Sequence, residues 1–163
     1  MTRHSKSVED FLKSVYVLQQ RAERVSTNAL ATILGISPPS VTDMARRLEE
    51  GNLLDYRKYR GVRLTVAGES IALRVIRRHR LIELYLVEEL GYDLQDVHDE
   101  AERLEHAVSD RFVSAIETKL EFPSVDPHGD PIPSAEGIIA NRDLIPLTEL
   151  ALDHPAVVAG FLA

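Results

Sequence analysis

Residues 26–51 read STNALATILGISPPSVTDMARRLEEG, and this stretch decides the fold. Ser26 and Thr27 stand where a helix N-cap is wanted, ahead of a short helix from Asn28 to Leu34 whose Leu30, Ala31, Ile33 and Leu34 are expected to face inward. Gly35 follows, and a left-handed residue there permits a tight turn. Ser37 caps the next helix, and Pro38 occupies its first position, where a missing N–H costs nothing. Val41, Ala45 and Leu48 mark its buried side, and Gly51 ends it. Two short helices joined by a turn containing glycine form a helix-turn-helix. Ser37, Pro39, Ser40, Thr42, Asp43, Arg46 and Arg47 then make the reading face. Small hydroxyls allow close approach to base edges or phosphates, and the arginines supply charge. Asp43 is the awkward member: it either accepts from a cytosine N4 or lies off the DNA.

The flanks support this pattern. Upstream, Ser7-Val-Glu-Asp10 opens a helix with Ser7 as N-cap, and Phe11, Leu12, Val15, Tyr16 and Leu18 recur at helical spacing. Downstream, two extended runs around 53–57 and 61–65 flank a basic aromatic turn, Lys58-Tyr59-Arg60-Gly61. That is the hairpin of a winged helix, with Arg57, Lys58, Arg60 and Arg63 placed for phosphates or the minor groove.

Charge divides the chain in the same way. Residues 1–80 hold 15 Lys+Arg against 8 Asp+Glu, whereas 81–163 hold 4 against 18, so a net −7 conceals +7 followed by −14. A basic half can engage a polyanion while an acidic half holds cations or a partner. The 163 residues are 44% hydrophobic and 28% charged, ordinary for a globular protein. There is no cysteine, which excludes a disulfide scaffold, a cysteine nucleophile and any thiolate metal site. No apolar run approaches the ~20 residues of a membrane span, and the polar start lacks the apolar core of a signal peptide. A cytoplasmic protein is expected.

From Thr65 a long helix is expected to about Leu90, apolar on more than one face and so buried on more than one. His79 and Glu83 lie four apart on it. The stretch His98-Asp-Glu-Ala-Glu102-Arg-Leu-Glu105-His106 is the most informative of the acidic half. On a helical wheel His98, Glu102, Glu105 and His106 share one arc roughly 100° wide, beside the packing arc of Val97, Ala101, Leu104 and Val108. Imidazole and carboxylate suit divalent first-row metals, and four on one face seldom serve packing. His4, His128 and His154 have no such company and read as surface residues. Beyond Leu120, Glu-Phe-Pro-Ser-Val-Asp-Pro-His-Gly-Asp-Pro-Ile-Pro133 reads as a stiff loop, then a linker to about Leu144. The final Ala-Val-Val-Ala-Gly-Phe-Leu-Ala163 reads as part of an element that goes on, in a longer chain or as a docked tail.

With these residues in view, the chain resembles the diphtheria-toxin-repressor family of metal-activated transcriptional regulators. The resemblance runs from residue 7 to about 140. It is carried by the winged helix, the Arg-Arg-His79-Arg-Leu-x-Glu83 step, the Val-His98-Asp-Glu-Ala-Glu102-Arg-Leu-Glu105-His106 run and the Asp-Pro-His-Gly-Asp-Pro-Ile-Pro loop. It implies a mainly α protein: a winged helix-turn-helix over 1–65, a helical metal-binding and dimerisation domain over 66–140, and a linker over 141–163 with room for only the beginning of an SH3-like domain.

The resemblance also implies two metal sites. Asp10, Glu102, Glu105 and His106 match the primary, activating site, and His79, Glu83 and His98 the ancillary one. Iron-responsive members place methionine where this chain has Asp10 and cysteine where it has Glu102. Manganese-responsive members place oxygen ligands there. Hard carboxylates select Mn²⁺ by ligand type, since raw affinity would favour later metals. Lys13 stands where some manganese-responsive members bridge two ions with a glutamate, so that binuclear arrangement is not expected.

The expected function is therefore a Mn²⁺-activated repressor of metal-homeostasis genes, binding operator DNA as a homodimer, with no membrane and no small-molecule substrate. Fe²⁺ is the alternative cofactor, and other divalent first-row metals could substitute in vitro. Against this stand a two-metal hydrolase, a winged-helix regulator of a non-metal signal, and a protein-interaction module. The chain offers no nucleophile motif or phosphate loop, and an enzyme is not expected.

Overall fold

The helix-turn-helix is built on the caps its sequence provides. In the computed structural model, which describes residues 4–139, helix α1 (Lys6–Gln19) precedes α2 (Thr27–Leu34) and α3 (Pro38–Glu50). Strands β1 (Leu54–Arg57) and β2 (Gly61–Leu64) follow, then α4 (Val66–Leu90), α5 (Val97–Leu104) and α6 (Asp110–Lys119). Residues 140–163 lie outside the described residues, and with them the expected linker and SH3-like beginning. The chain forms two units, the first ending at Ile76 and the second beginning at Arg77, so α4 contributes to both.

In the first unit, the Ser26 hydroxyl accepts from the Ala29 amide at 3.1 Å and the Ser37 hydroxyl from the Ser40 amide at 3.3 Å. Each satisfies one of the donors that a helix start leaves open. Gly35 closes α2 in the left-handed region at φ +64°. Phe11, Leu12 and Val15 from α1 pack with Leu30, Val41, Ala45 and Leu48, and with Leu54, Val62 and Leu64 of the hairpin. The two strands pair antiparallel from Leu54↔Leu64 to Arg57↔Gly61. A bridge from Val25 to Val62 adds a third edge to this sheet.

Two expectations in this unit are corrected. Helix α1 begins a residue before Ser7: Ser5 is the N-cap, and its carbonyl takes the amides of Val8 and Glu9 at 3.0 Å each. Ile33 does not face inward but is 51% exposed: Leu30 and Ala31 are buried with Leu34 packed beside them, and Ile33 lies about 160° round the helix from Ala31, outside that arc.

In the second unit, Leu81, Ile82, Leu84 and Leu86 of α4 pack on Val97 and Ala101 of α5, Val113 and Ile116 of α6, and Ile132. Helix α6, absent from the sequence-based expectations, starts at Ser109, whose hydroxyl accepts from the Phe112 amide at 3.2 Å. Helix α5 is shorter than the wheel assumes. It ends at Leu104, Glu105 is its C-cap, and the Ala107 amide turns back to the Leu104 carbonyl at 2.8 Å. The loop after α6 is held from α4. Arg80 reaches the Pro131 carbonyl at 2.5 Å and Asp126 at 3.5 Å, and Arg77 reaches the Pro133 carbonyl at 2.8 Å. Among the described residues, no helix is long and apolar enough to cross a membrane.

Candidate metal centre and nucleic-acid interface

Burial of the i, i+4, i+7 stripe on α3 fixes what its opposite side presents. Val41, Ala45 and Leu48 are buried, so Pro39, Ser40, Asp43, Arg46 and Arg47 are exposed together and Thr42 is half-exposed beside them. The hydroxyls are partly committed: Ser37 caps the helix and shares a 2.8 Å hydrogen bond with Ser40, and Thr42 donates to the Pro38 carbonyl at 3.1 Å. Arg57, Lys58, Arg60 and Arg63 are exposed on the hairpin. At its tip Tyr59 is 93% exposed with φ +64°, and the Lys58 ammonium lies 4.9 Å from the centre of its ring. A basic reading helix and a basic hairpin thus belong to one compact unit.

The expected metal ligands of the second unit converge around α4. His79 and Glu83, one turn apart, are both buried. The Glu83 carboxylate lies 3.0 Å from His79 Nε2 and 3.1 Å from His98 Nδ1, and those two nitrogens are 3.1 Å apart. Burial disfavours the charged form of Glu83, but hydrogen bonds from His79 and His98 outweigh it and hold the carboxyl below its ordinary range. Such a set offers two imidazole nitrogens and a carboxylate within 4.8 Å of one another.

Glu105 and His106 form a second group, with His106 Nε2 at 3.1 Å from Glu105 Oε1. The two groups are not separate. His79 Nδ1 meets Glu105 Oε2 at 2.6 Å, so one imidazole addresses Glu83 through one nitrogen and Glu105 through the other. Glu105 is 1% exposed, and a carboxylate taken so far from water needs compensating charge or hydrogen bonds.

The four ligands expected to share one helical arc do not share one environment. Glu105 continues the buried row of Val97 and Ala101 by one more turn and points inward, whereas the side chains of His98 and Glu102 are 58% and 52% exposed. Glu102 lies 3.8 Å from His98 Nε2, the ring nitrogen opposite the one that faces Glu83. Asp10 is half-buried on α1 of the first unit, where Lys6 lies 3.9 Å away.

Sequence reasoning missed one residue. His128 is exposed, as expected, but not without company: its Nε2 lies 4.0 Å from the same Glu83 oxygen that faces His79 and His98. Asp126 aims it: its Oδ1 accepts the amides of His128 at 2.8 Å and Asp130 at 2.9 Å. Burial pushes the Asp126 carboxyl up, against those amides and the nearby Arg80. The signal in the sequence is the Asp-Pro-His-Gly-Asp turn itself, which carries a histidine on an otherwise stiff loop.

Family comparison agrees with this division of labour. Residues 4–62 match the iron-dependent repressor N-terminal DNA-binding domain, and residues 65–134 match the iron-dependent repressor metal-binding and dimerisation domain. The chain belongs to the diphtheria-toxin-repressor family. Within that family it is 32% identical over 159 residues to the iron-dependent repressor IdeR of Mycobacterium leprae, covering 93% of this chain and 69% of that one. It is 33% identical over 116 residues to the transcriptional regulator MntR of Bacillus pumilus, covering 71% of this chain and 80% of that one. A solved manganese-dependent transcriptional repressor, in complex with manganese, matches with a TM-score of 0.78 and 46% identity over 83% of this chain. The chain spans 63% of the length of that structure.

Proposed function

We propose that this family member is a manganese-activated transcriptional repressor. It acts in the cytoplasm as a homodimer on double-stranded operator DNA, controlling genes of metal-ion homeostasis. The observation that carries the reading is the linked series Glu83–His79–Glu105–His106, buried carboxylates and imidazoles in the same chain as a basic winged helix. The donors fit a divalent cation: all are oxygen or imidazole nitrogen, and the chain has no cysteine to offer.

In this reading Asp10, Glu102, Glu105 and His106 hold the activating ion, and His79, Glu83 and His98 hold the ancillary one with His128 beside Glu83. Bound there, a divalent cation supplies the positive charge that lets several carboxylates converge. Without such an ion, carboxylates brought together there would repel one another, and the DNA-binding unit would sample orientations that do not fit two half-sites. An ion held by Asp10, Glu105 and His106 together would add affinity to the arrangement that matches the operator alone, and that arrangement would gain population. The exposed side of α3 then meets base edges, and Arg57, Lys58 and Arg60 meet the backbone. In a symmetric dimer, the half-sites lie about one helical turn, ~34 Å, apart or a multiple of it. None of these steps is catalytic, and the reading is of a regulator rather than an enzyme.

The relationship to the M. leprae iron-dependent repressor keeps Fe²⁺ as the second reading. The hard donors at Asp10 and Glu102 favour Mn²⁺. Fluorescence anisotropy on labelled duplex from the upstream region of the protein's own gene separates them, with Mn²⁺, anaerobic Fe²⁺ and chelator as arms. Binding strongest in Mn²⁺ and lost in chelator is expected. Binding strongest in Fe²⁺ overturns the manganese assignment, and equal binding in chelator overturns metal activation.

A further inference from the structure

On the side of the hairpin, one partly buried guanidinium holds both strands. Arg24 precedes the Val25↔Val62 bridge, and its side chain is only 14% exposed. Nη1 donates to Asp55 Oδ2 at 2.8 Å, and Nη2 donates to the Asp55 carbonyl at 2.7 Å and the Gly61 carbonyl at 3.4 Å. Asp55 lies in β1 and Gly61 opens β2, so these bonds span the hairpin just below the tip that carries Lys58, Tyr59 and Arg60.

Asp55 is gripped from a second side by Arg57, 3.5 Å away, and the Arg24 hydrogen bond holds its carboxyl below the ordinary range. Arg24, Asp55, Arg57, Arg60 and Arg63 line an open cleft of about 420 Å³ together with Glu23. Four arginines against two carboxylates leave the cleft cationic.

A carboxylate on a cationic face would ordinarily weaken attraction to a polyanion. Asp55 has a geometric use instead. A two-stranded hairpin of four residues a side is marginal by itself, and its tip can wander unless its strands are pinned. We infer that Arg24 and Asp55 are positioning residues for the wing: the bonds from Arg24 to the Asp55 carboxylate and to the strand carbonyls set the direction in which Lys58 and Arg60 project toward the phosphate backbone. This rests on the reading of the winged helix as a DNA-binding unit.

The two roles of Asp55 predict opposite signs. If it acted only as a charge, Asp55→Ala would tighten DNA binding. As a positioning residue, its removal weakens binding by about tenfold, the scale of a net hydrogen bond to a charged group. The log–log salt slope should also shrink by ~0.9 for each phosphate that the wing no longer neutralises. The test uses the full chain with saturating Mn²⁺, a labelled upstream duplex and a random-sequence duplex, with salt titrations on both.

Asp55→Ala and Arg24→Met should each bind more weakly and with a shallower slope. Asp55→Asn, which keeps an acceptor for Arg24, should stay near the parent. Adding Arg60→Ala should cost the parent affinity but cost Arg24→Met little more, because the tip no longer has its aim. If Arg24→Met lowers the melting temperature, Arg24→Lys, which keeps a cation at the site, serves in its place. Asp55→Ala binding as tightly as the parent or tighter, with an unchanged slope, overturns the inference. A parent that shows no salt-dependent DNA binding overturns the DNA-binding reading as well, and that failure is visible before any variant is compared.

Discussion

Gly61→Ala tests the packing that gives the wing its place. Gly61 has φ +88°, and a Cβ built there lies 2.1 Å from the Val25 carbonyl oxygen and 2.8 Å from its carbon. Neither atom can step aside, because Val25 and Val62 exchange two backbone hydrogen bonds of 2.9 Å each. The left-handed backbone costs an alanine ~1–2 kcal/mol. Relieving the clash costs the two bridge bonds, ~1 kcal/mol each. The sum, about 3–4 kcal/mol, is a large fraction of the ~5–15 kcal/mol that holds a typical domain folded. Gly35→Ala is the control: φ is +64° and nothing lies within 4 Å of the added carbon, so only the backbone cost of ~1–2 kcal/mol applies. Urea unfolding of both variants, followed by circular dichroism, reads the difference. Equal destabilisation would refute the close approach of Gly61 to Val25.

Other consequences are open to measurement. His128→Ala should weaken ancillary-site Mn²⁺ affinity by about tenfold in titration calorimetry, at the low end of what supporting groups contribute; an unchanged isotherm would leave His128 with no part in the site. Asp10→Met combined with Glu102→Cys should move DNA-binding activation from Mn²⁺ toward Fe²⁺ in anaerobic anisotropy, and an unchanged metal ranking would count against the hard-ligand argument. The Asp55 carboxyl is depressed from 3.8 in the folded protein, mainly by the Arg24 hydrogen bond. Its stabilising effect is therefore present above that value and fades as pH falls through the lower folded value. The stability gap between the parent and Asp55→Ala should be flat above about pH 5 and close in acid; a gap that widens in acid would contradict the pairing.

The winged helix was legible because its signals are local. Ser26, Gly35, Ser37, Pro38 and Gly51 each specify the backbone within a few residues, and all five stand at the expected element ends. Ser7 misled because Ser5 is an equally good cap, and the Val8 amide bonding back to Ser5 draws the helix start forward. Ile33 is apolar, but it lies outside the arc that Leu30, Ala31 and Leu34 share, so residue type alone misplaced it. The metal residues follow from an ideal wheel and the family resemblance, and an arc about 100° wide can run from buried to exposed. Glu105 lies only about 40° from Ala101 on the wheel, within the buried row, and goes inward; Glu102 lies about 100° from Ala101 and stays out. The approach of His128 to Glu83 was illegible for another reason. It spans 45 residues and depends on Arg77 and Arg80 of α4 gripping loop carbonyls, a long-range arrangement that no local pattern encodes.

The central claim is that metal held by these side chains switches DNA binding. Anisotropy of labelled upstream duplex, titrated with the parent and with His106→Ala in saturating Mn²⁺ and again in chelator, tests it most directly. The parent should bind tightly only with Mn²⁺, and His106→Ala should bind in Mn²⁺ no better than the parent does in chelator. Its melting temperature and dimer mass should be preserved. A folded, dimeric His106→Ala that Mn²⁺ activates as fully as the parent would contradict the claim.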